Sequence, residues 1–153
     1  MKLSEFFSNY FDVRKELIDM TKSLSQEQLD WSPPGHPAKI GKLLVHIADC
    51  EYFWINHVAK KIPNPDYAPF HKASTWGDYK ALLDDCFEIM KDFLETEDIE
   101  DWKTKKYDFT DENGKTDHFT KEWLIWHVVE HQARHRGQVM MMMRTQGLDV
   151  PDV

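Results

Sequence analysis

Apolar residues recur at three- and four-residue intervals in four separate stretches of this chain, a period that only amphipathic helices satisfy. The first stretch runs from about Ser4 to Leu24, with Leu3, Phe6, Phe7, Tyr10, Leu17, Met20 and Leu24 on one face. The second, about Lys39 to Lys60, aligns Ile40, Leu43, Leu44, Ile47, Trp54 and Val58. Thr75-Trp-Gly-Asp78 starts the third, where Trp76, Tyr79, Leu83, Cys86, Met90 and Phe93 read as pure core. The fourth starts near Thr120 and stops at Gly147, with Pro151 as a second stop. Helices of about 20 residues are about 30 Å long.

The connectors have their own chemistry. Ser25-Gln-Glu-Gln28 has the form of a capping box and starts a short turn that Pro33-Pro34 ends. Pro63, Pro65 and Pro69 enforce a loop after the second helix. Between the third and fourth helices, Trp102, Tyr107, Phe109 and Phe119 surround Asp111-Glu-Asn-Gly114, and an Asn-Gly pair amid β-formers predicts a two-stranded hairpin. The expectation is an all-α chain with a small β-hairpin excursion before its last helix. No repeat, linker or low-complexity stretch interrupts it, so residues 1–153 read as a single domain. A domain of this length buries about 70% of its unfolded surface without disulfide or metal support, so any metal would serve function.

Two histidines, His131 and His135, stand four apart on the last helix and therefore on one face. At 3.6 residues per turn, Leu124, Val128, Val139 and Met142 fall in a stripe about 60° wide, and both histidines lie inside or beside it. Buried imidazoles need partners. A shared divalent metal is one explanation, and backbone or carboxylate partners in a helical core are the other. His46, at the margin of the second helix's stripe and flanked by Leu43, Cys50 and Phe53, favours the metal.

The run His131-Gln-Ala-Arg-His135-Arg-Gly-Gln138, preceded by Trp126-His127-Val-Val-Glu130, resembles the closing motif of the DinB/YfiT-like family. Trp31-Ser-Pro33-Pro34-Gly35 followed by Gly41-Lys-Leu-Leu-Val-His46 resembles its upstream partner motif. The resemblance implies an up-down four-helix bundle with a three-histidine metal site, the ligands carrying over onto His46, His131 and His135. The metal would sit midway along the second and fourth helices. Three neutral imidazoles leave a four-coordinate metal one open position, the arrangement of a catalytic site. Zinc is the default by ligand type, with nickel, manganese and iron as alternatives. Relatives in the resembled family include S-transferases of low-molecular-weight thiols such as bacillithiol, mycothiol or glutathione. A divalent-metal-dependent transferase acting on a small-molecule thiol and an electrophilic substrate is therefore the first expectation. A non-catalytic metal- or ligand-binding stress-response protein, or a metal-dependent hydrolase, is the alternative.

Other residues near the motif receive simpler readings. His127, about 40° farther round the last helix than His131, is assigned to the surface or to a contact behind the ligands, where it would orient Glu130 or meet a bound ligand. Gln138 shares that margin and either faces the site or bonds within the core. Arg136 reads as an ion-pairing group and Gly137 as a point of close helix approach. Asp49 and Glu51 read as exposed carboxylates, with orientation of a histidine as their other role. His36, His57, His71 and His118 read as surface residues. Gln132 stands where an H-E-x-x-H metalloprotease would have its general base, so that chemistry is disfavoured. Phosphate-binding glycine loops and nucleophile elbows are absent from the sequence.

Charge and hydropathy exclude further classes. A net charge of −8 with no Lys/Arg-rich stripe argues against nucleic acid. The longest apolar run, Val139-Met-Met-Met-Met143, is far short of the roughly 18 residues that span a bilayer. Met1-Lys-Leu-Ser-Glu-Phe-Phe has no signal-peptide pattern, and Cys50 and Cys86 read as reduced core thiols, so a cytoplasmic location is expected. Four consecutive methionines cannot all face one core. Those pointing outward suit a subunit interface, here a homodimer, or are simply exposed.

Overall fold

A computed structural model describes residues 1–152. In chain order the elements are α1 (Leu3–Phe6), α2 (Ser8–Thr21), α3 (Gln26–Asp30), α4 (Ile40–Glu51), a π-helical segment (Tyr52–Ala59) continuing α4, α5 (Ala68–Lys72), α6 (Trp76–Thr96), β1 (Lys106–Thr110), β2 (Thr116–Thr120) and α7 (Lys121–Thr145). The chain is mostly helical with one antiparallel hairpin before the last helix, in line with the sequence reading. Among the described residues it has seven α-helices where four were expected, because α1 separates from α2 and the short helices α3 and α5 form in the connectors before α4 and α6. α4 packs against α6 and α7, and α2 packs against α7.

The first expected helix is two. The chain leaves helical geometry at Phe7 (φ −104°, ψ 32°), while α1 is tied to the end of α6 by an N–H of Leu3 donating to the Glu97 carbonyl at 3.3 Å. Phe7 is buried, but Phe6 is 47% exposed and is not core. Both capping boxes that start α3 and α6 are formed, with Ser25 and Gln28 exchanging bonds in one and Thr75 and Asp78 in the other. Gly41 makes α4's closest approach to α6: a Cβ there would meet the Tyr79 ring at 2.6 Å. Gly137, expected to have this role, faces open space. It lies on the solvent side of α7, so its small size answers no packing need.

The second expected helix changes type at Tyr52. A π-helix takes more residues per turn, so each residue advances less around the axis. The apolar stripe therefore slips: Ile55 joins the expected Val58 in the core, and Trp54, which a 3.6-residue period assigns to the core, lies half-buried at its margin. There its ring meets Phe119 and Trp123, with centroids 4.9 and 5.0 Å away.

The hairpin pairs Lys106 with Thr120 through Thr110 with Thr116. At its tip the Asp111 carboxylate accepts from the N–H groups of Asn113 and Lys115, both at 2.9 Å, and Gly114 takes φ +78°, which glycine adopts without strain. β2 leads directly into α7, whose N-terminus is capped by the Thr120 hydroxyl accepting from Trp123 N–H at 3.1 Å. Of the methionine run, Met140, Met142 and Met143 are buried and Met141 alone points outward, 62% exposed. Cys50 and Cys86 are buried and unpaired. Among the described residues no helix is long and apolar enough to cross a membrane.

Candidate metal centre

The packing of α4 on α7 brings His46 against His131 and His135. The Nε2 atoms of His131 and His46 are 3.0 Å apart, and those of His135 and His131 are 3.2 Å apart. Nitrogens about 2.0–2.1 Å from one tetrahedral ion lie about 3.3 Å from each other, so this spacing fits a single metal. His131 is buried, His135 half-buried and His46 exposed, which leaves one side of the cluster open to solvent.

Electrostatics favour unprotonated rings at His131 and His135. Burial, reinforced by the neighbouring His135 and His46, lowers the His131 imidazole to about 3. Burial also lowers His135. The Nδ1 of His135 donates to Gln138 Oε1, which can only accept, so the ring hydrogen sits on Nδ1 and a lone pair remains on Nε2. Gln138 is thus an exposed residue that fixes a ligand tautomer. The Nδ1 of His131 is buried without a partner among the described residues. Three converging imidazole nitrogens, those of His131 and His135 held neutral, fit a divalent cation.

His127 contributes no nitrogen to this cluster. It does not orient Glu130 either, since Glu130 pairs with Arg134 at 2.6 Å. Its ring stacks between Trp123 and His131, with centroids 4.9 and 5.9 Å away, while Trp54 meets it edge-on at 5.2 Å. An aromatic wall thus rises from the cluster toward the hairpin. Trp123, His127 and His131 are four apart in sequence, a ladder legible from spacing; the approach of Trp54 depends on the π-helical slip.

Behind the cluster lies a buried polar network. Arg14 on α2 reaches three helices: Nε donates to Gln132 Oε1 on α7 at 2.6 Å, Nη1 to the Leu83 carbonyl on α6 at 2.5 Å, and Nη2 to Glu51 Oε1 at the end of α4. The Tyr10 hydroxyl donates to the same Glu51 oxygen, and Gln132 Nε2 donates to the Tyr10 carbonyl at 3.2 Å. Glu51 is therefore not an exposed carboxylate: it is 1% exposed and touches no ligand histidine in this network. Burial raises its carboxyl, and Arg14 and Tyr10 oppose the shift. The sequence signal for this network is Arg14 itself, a cation lying on the stripe that holds Tyr10 and Leu17.

The remaining residues have plain positions. Asp49 is half-buried, and desolvation raises its carboxyl against the pull of His46 and His71. Arg136 pairs with Glu16 at 2.5 Å. His36 and His71 are exposed, and His118 is exposed while bonding Asp108 across the hairpin at 2.6 Å. His57 is half-buried rather than on the surface, because the π-helical segment turns it toward Tyr67, whose hydroxyl lies 3.3 Å from its Nδ1.

The family model described as the DinB family matches residues 1–153. The uncharacterized protein YizA of Bacillus subtilis (strain 168) is 22% identical over 148 residues, covering 93% of this chain and 86% of that protein. The crystal structure of a DinB-like protein from Bacillus cereus ATCC 10987 superposes with a TM-score of 0.69 at 21% identity, over 99% of this chain and 97% of that one. At that identity the likeness concerns the fold.

Proposed function

The chain belongs to the DinB family, and from that premise we propose that it is a divalent-metal-dependent thiol S-transferase, folded as a single domain around an up-down bundle of α2, α4, α6 and α7. The observation that carries this reading is the convergence of three Nε2 atoms, two of them on imidazoles held neutral, at a cluster open on one side. His46, His131 and His135 would hold the ion. A divalent ion there, zinc by preference, would supply Lewis acidity that stabilises a thiolate at neutral pH.

The protein's own groups do the rest. Gln138 holds the His135 ring in the tautomer that presents Nε2. Gln132, locked to Arg14, keeps the segment of α7 behind His131 fixed and provides no base. The aromatic wall of Trp54, Trp123 and His127 restricts water on the hairpin side. With no carboxylate in the ligand group, a bound divalent ion would keep an uncompensated charge that favours an anionic donor such as a thiolate. A cytoplasmic homodimer is the working form within this reading.

The test is metal analysis of protein purified without a histidine tag, followed by titration of the cobalt-loaded form with small thiols. About one metal per chain and a thiolate-to-cobalt charge-transfer band, absent with the matching alcohol, are expected. No metal uptake, or no band with any thiol, would overturn the proposal.

A further inference from the structure

A cavity of about 130 Å³ is lined by Pro33, His36, Leu43, Gln138, Met141 and Met142. Its position follows from the two helices that form it. Leu43 precedes His46 by three residues on α4 and Gln138 follows His135 by three on α7, so each lies about 5 Å along its helix from a ligand. The side chain of Gln138 is itself bonded to His135. Larger hollows of about 250 and 280 Å³ beside α5 and α6, and one of about 320 Å³ beside the hairpin, share no lining residue with α7.

Resting on the transferase reading above, we propose that this cavity receives the compact apolar group of the electrophilic substrate. Leu43 and Met142 are buried walls, and the methionine thioethers adapt to shape. An apolar cavity of about 150 Å³ holds a benzene-sized molecule, so this one takes a single ring or a branched alkyl group of comparable size. Lying about one helical turn from the ligand nitrogens, the cavity would hold the apolar group so that the electrophilic carbon it bears faces a thiol drawn to the three histidines. In the transfer step an S–C bond forms and the bond from carbon to its leaving group breaks. The leaving group departs with that electron pair, and the thiol's proton passes to water. His36 adds a polar rim: its Nδ1 accepts from Ala38 N–H at 3.2 Å, so the ring hydrogen of the neutral form sits on Nε2, free to donate.

Methyl-¹³C methionine spectra of the metal-loaded protein titrated with phenylmethanol, an unreactive aryl probe, test the assignment. The Met141 and Met142 methyls should shift through the ring current. A probe lacking the ring should bind more weakly by about fourfold for each CH₂-equivalent lost. Met141→Trp, made at a residue 62% exposed and so harmless to the fold, should fill the mouth and weaken phenylmethanol binding at least tenfold. Absence of shifts at both methyls, or unchanged binding by Met141→Trp, overturns the cavity assignment even if thiols reach the metal. Shifts without any thiol band in the cobalt titration retain the cavity as an apolar site and overturn the transferase reading instead.

Discussion

Replacing Arg14 by methionine removes a side chain that bonds α4, α6 and α7 from α2, and the structure sets the size of the loss. Three hydrogen bonds from the guanidinium cation disappear, one of them to a carboxylate, and Glu51, 1% exposed, is left with only the Tyr10 hydroxyl as partner. Removing one member of a buried pair costs about 3–5 kcal/mol, because the other charge is stranded. For a chain of this size that corresponds to a fall in Tm of roughly 10 °C. With the guanidinium gone the Glu51 carboxyl is raised further, so taking up a proton relieves the stranded charge. A carboxyl whose folded value lies above its unfolded value stabilises fully below the unfolded value and loses that contribution as pH rises through the folded one. The variant should therefore gain stability relative to the parent between pH 7.5 and 5. Adding Glu51→Leu should recover most of the loss at pH 7.5, since an apolar pair of similar volume avoids the stranded charge. Urea denaturation of the parent, both single variants and the double variant at two pH values measures every term. A loss under about 1 kcal/mol for Arg14→Met, or no recovery in the double variant, would refute the network as the tie between these helices.

Alanine at His46, His131 or His135 should each remove most of the zinc affinity in a competition titration, whereas His127→Ala, whose ring stacks without converging, should cost much less. Gln138→Leu should weaken zinc binding about 10- to 100-fold by releasing the His135 tautomer, with little change in Tm. Chelation should leave the far-ultraviolet circular dichroism largely intact, because the apolar core does not include the metal; wholesale loss of helix would make the ion structural. In the metal-free protein, His131 at about 3 binds fewer protons than the unfolded chain below pH 6.5, so stability should fall as pH drops from about 6.5 toward 3 and level off below, as followed by urea midpoints.

Local chemistry made much of this protein legible in its sequence. The capping boxes at Ser25 and Thr75, the hairpin around Gly114, the stop at Gly147 and the pairing of His131 with His135 all arise from residues within a few positions of each other. Spacing and turn preference are enough to specify such features. Even the place of His46 at the stripe margin of α4 could be read from a helical projection. Three features needed the tertiary structure. The slip at Tyr52 that moves Trp54 out of the core and Ile55 into it leaves no mark on a 3.6-residue pattern. Arg14 shows in the sequence as a cation on an apolar stripe, but not what it ties together, because its partners Leu83 and Gln132 are 69 and 118 residues away and a buried charge is stable only once those partners arrive. The distance between His46 and His131 likewise depends on how closely α4 settles on α7. Sequence period selects which face of each helix is buried; only packing of the assembled helices decides which atoms on those faces meet.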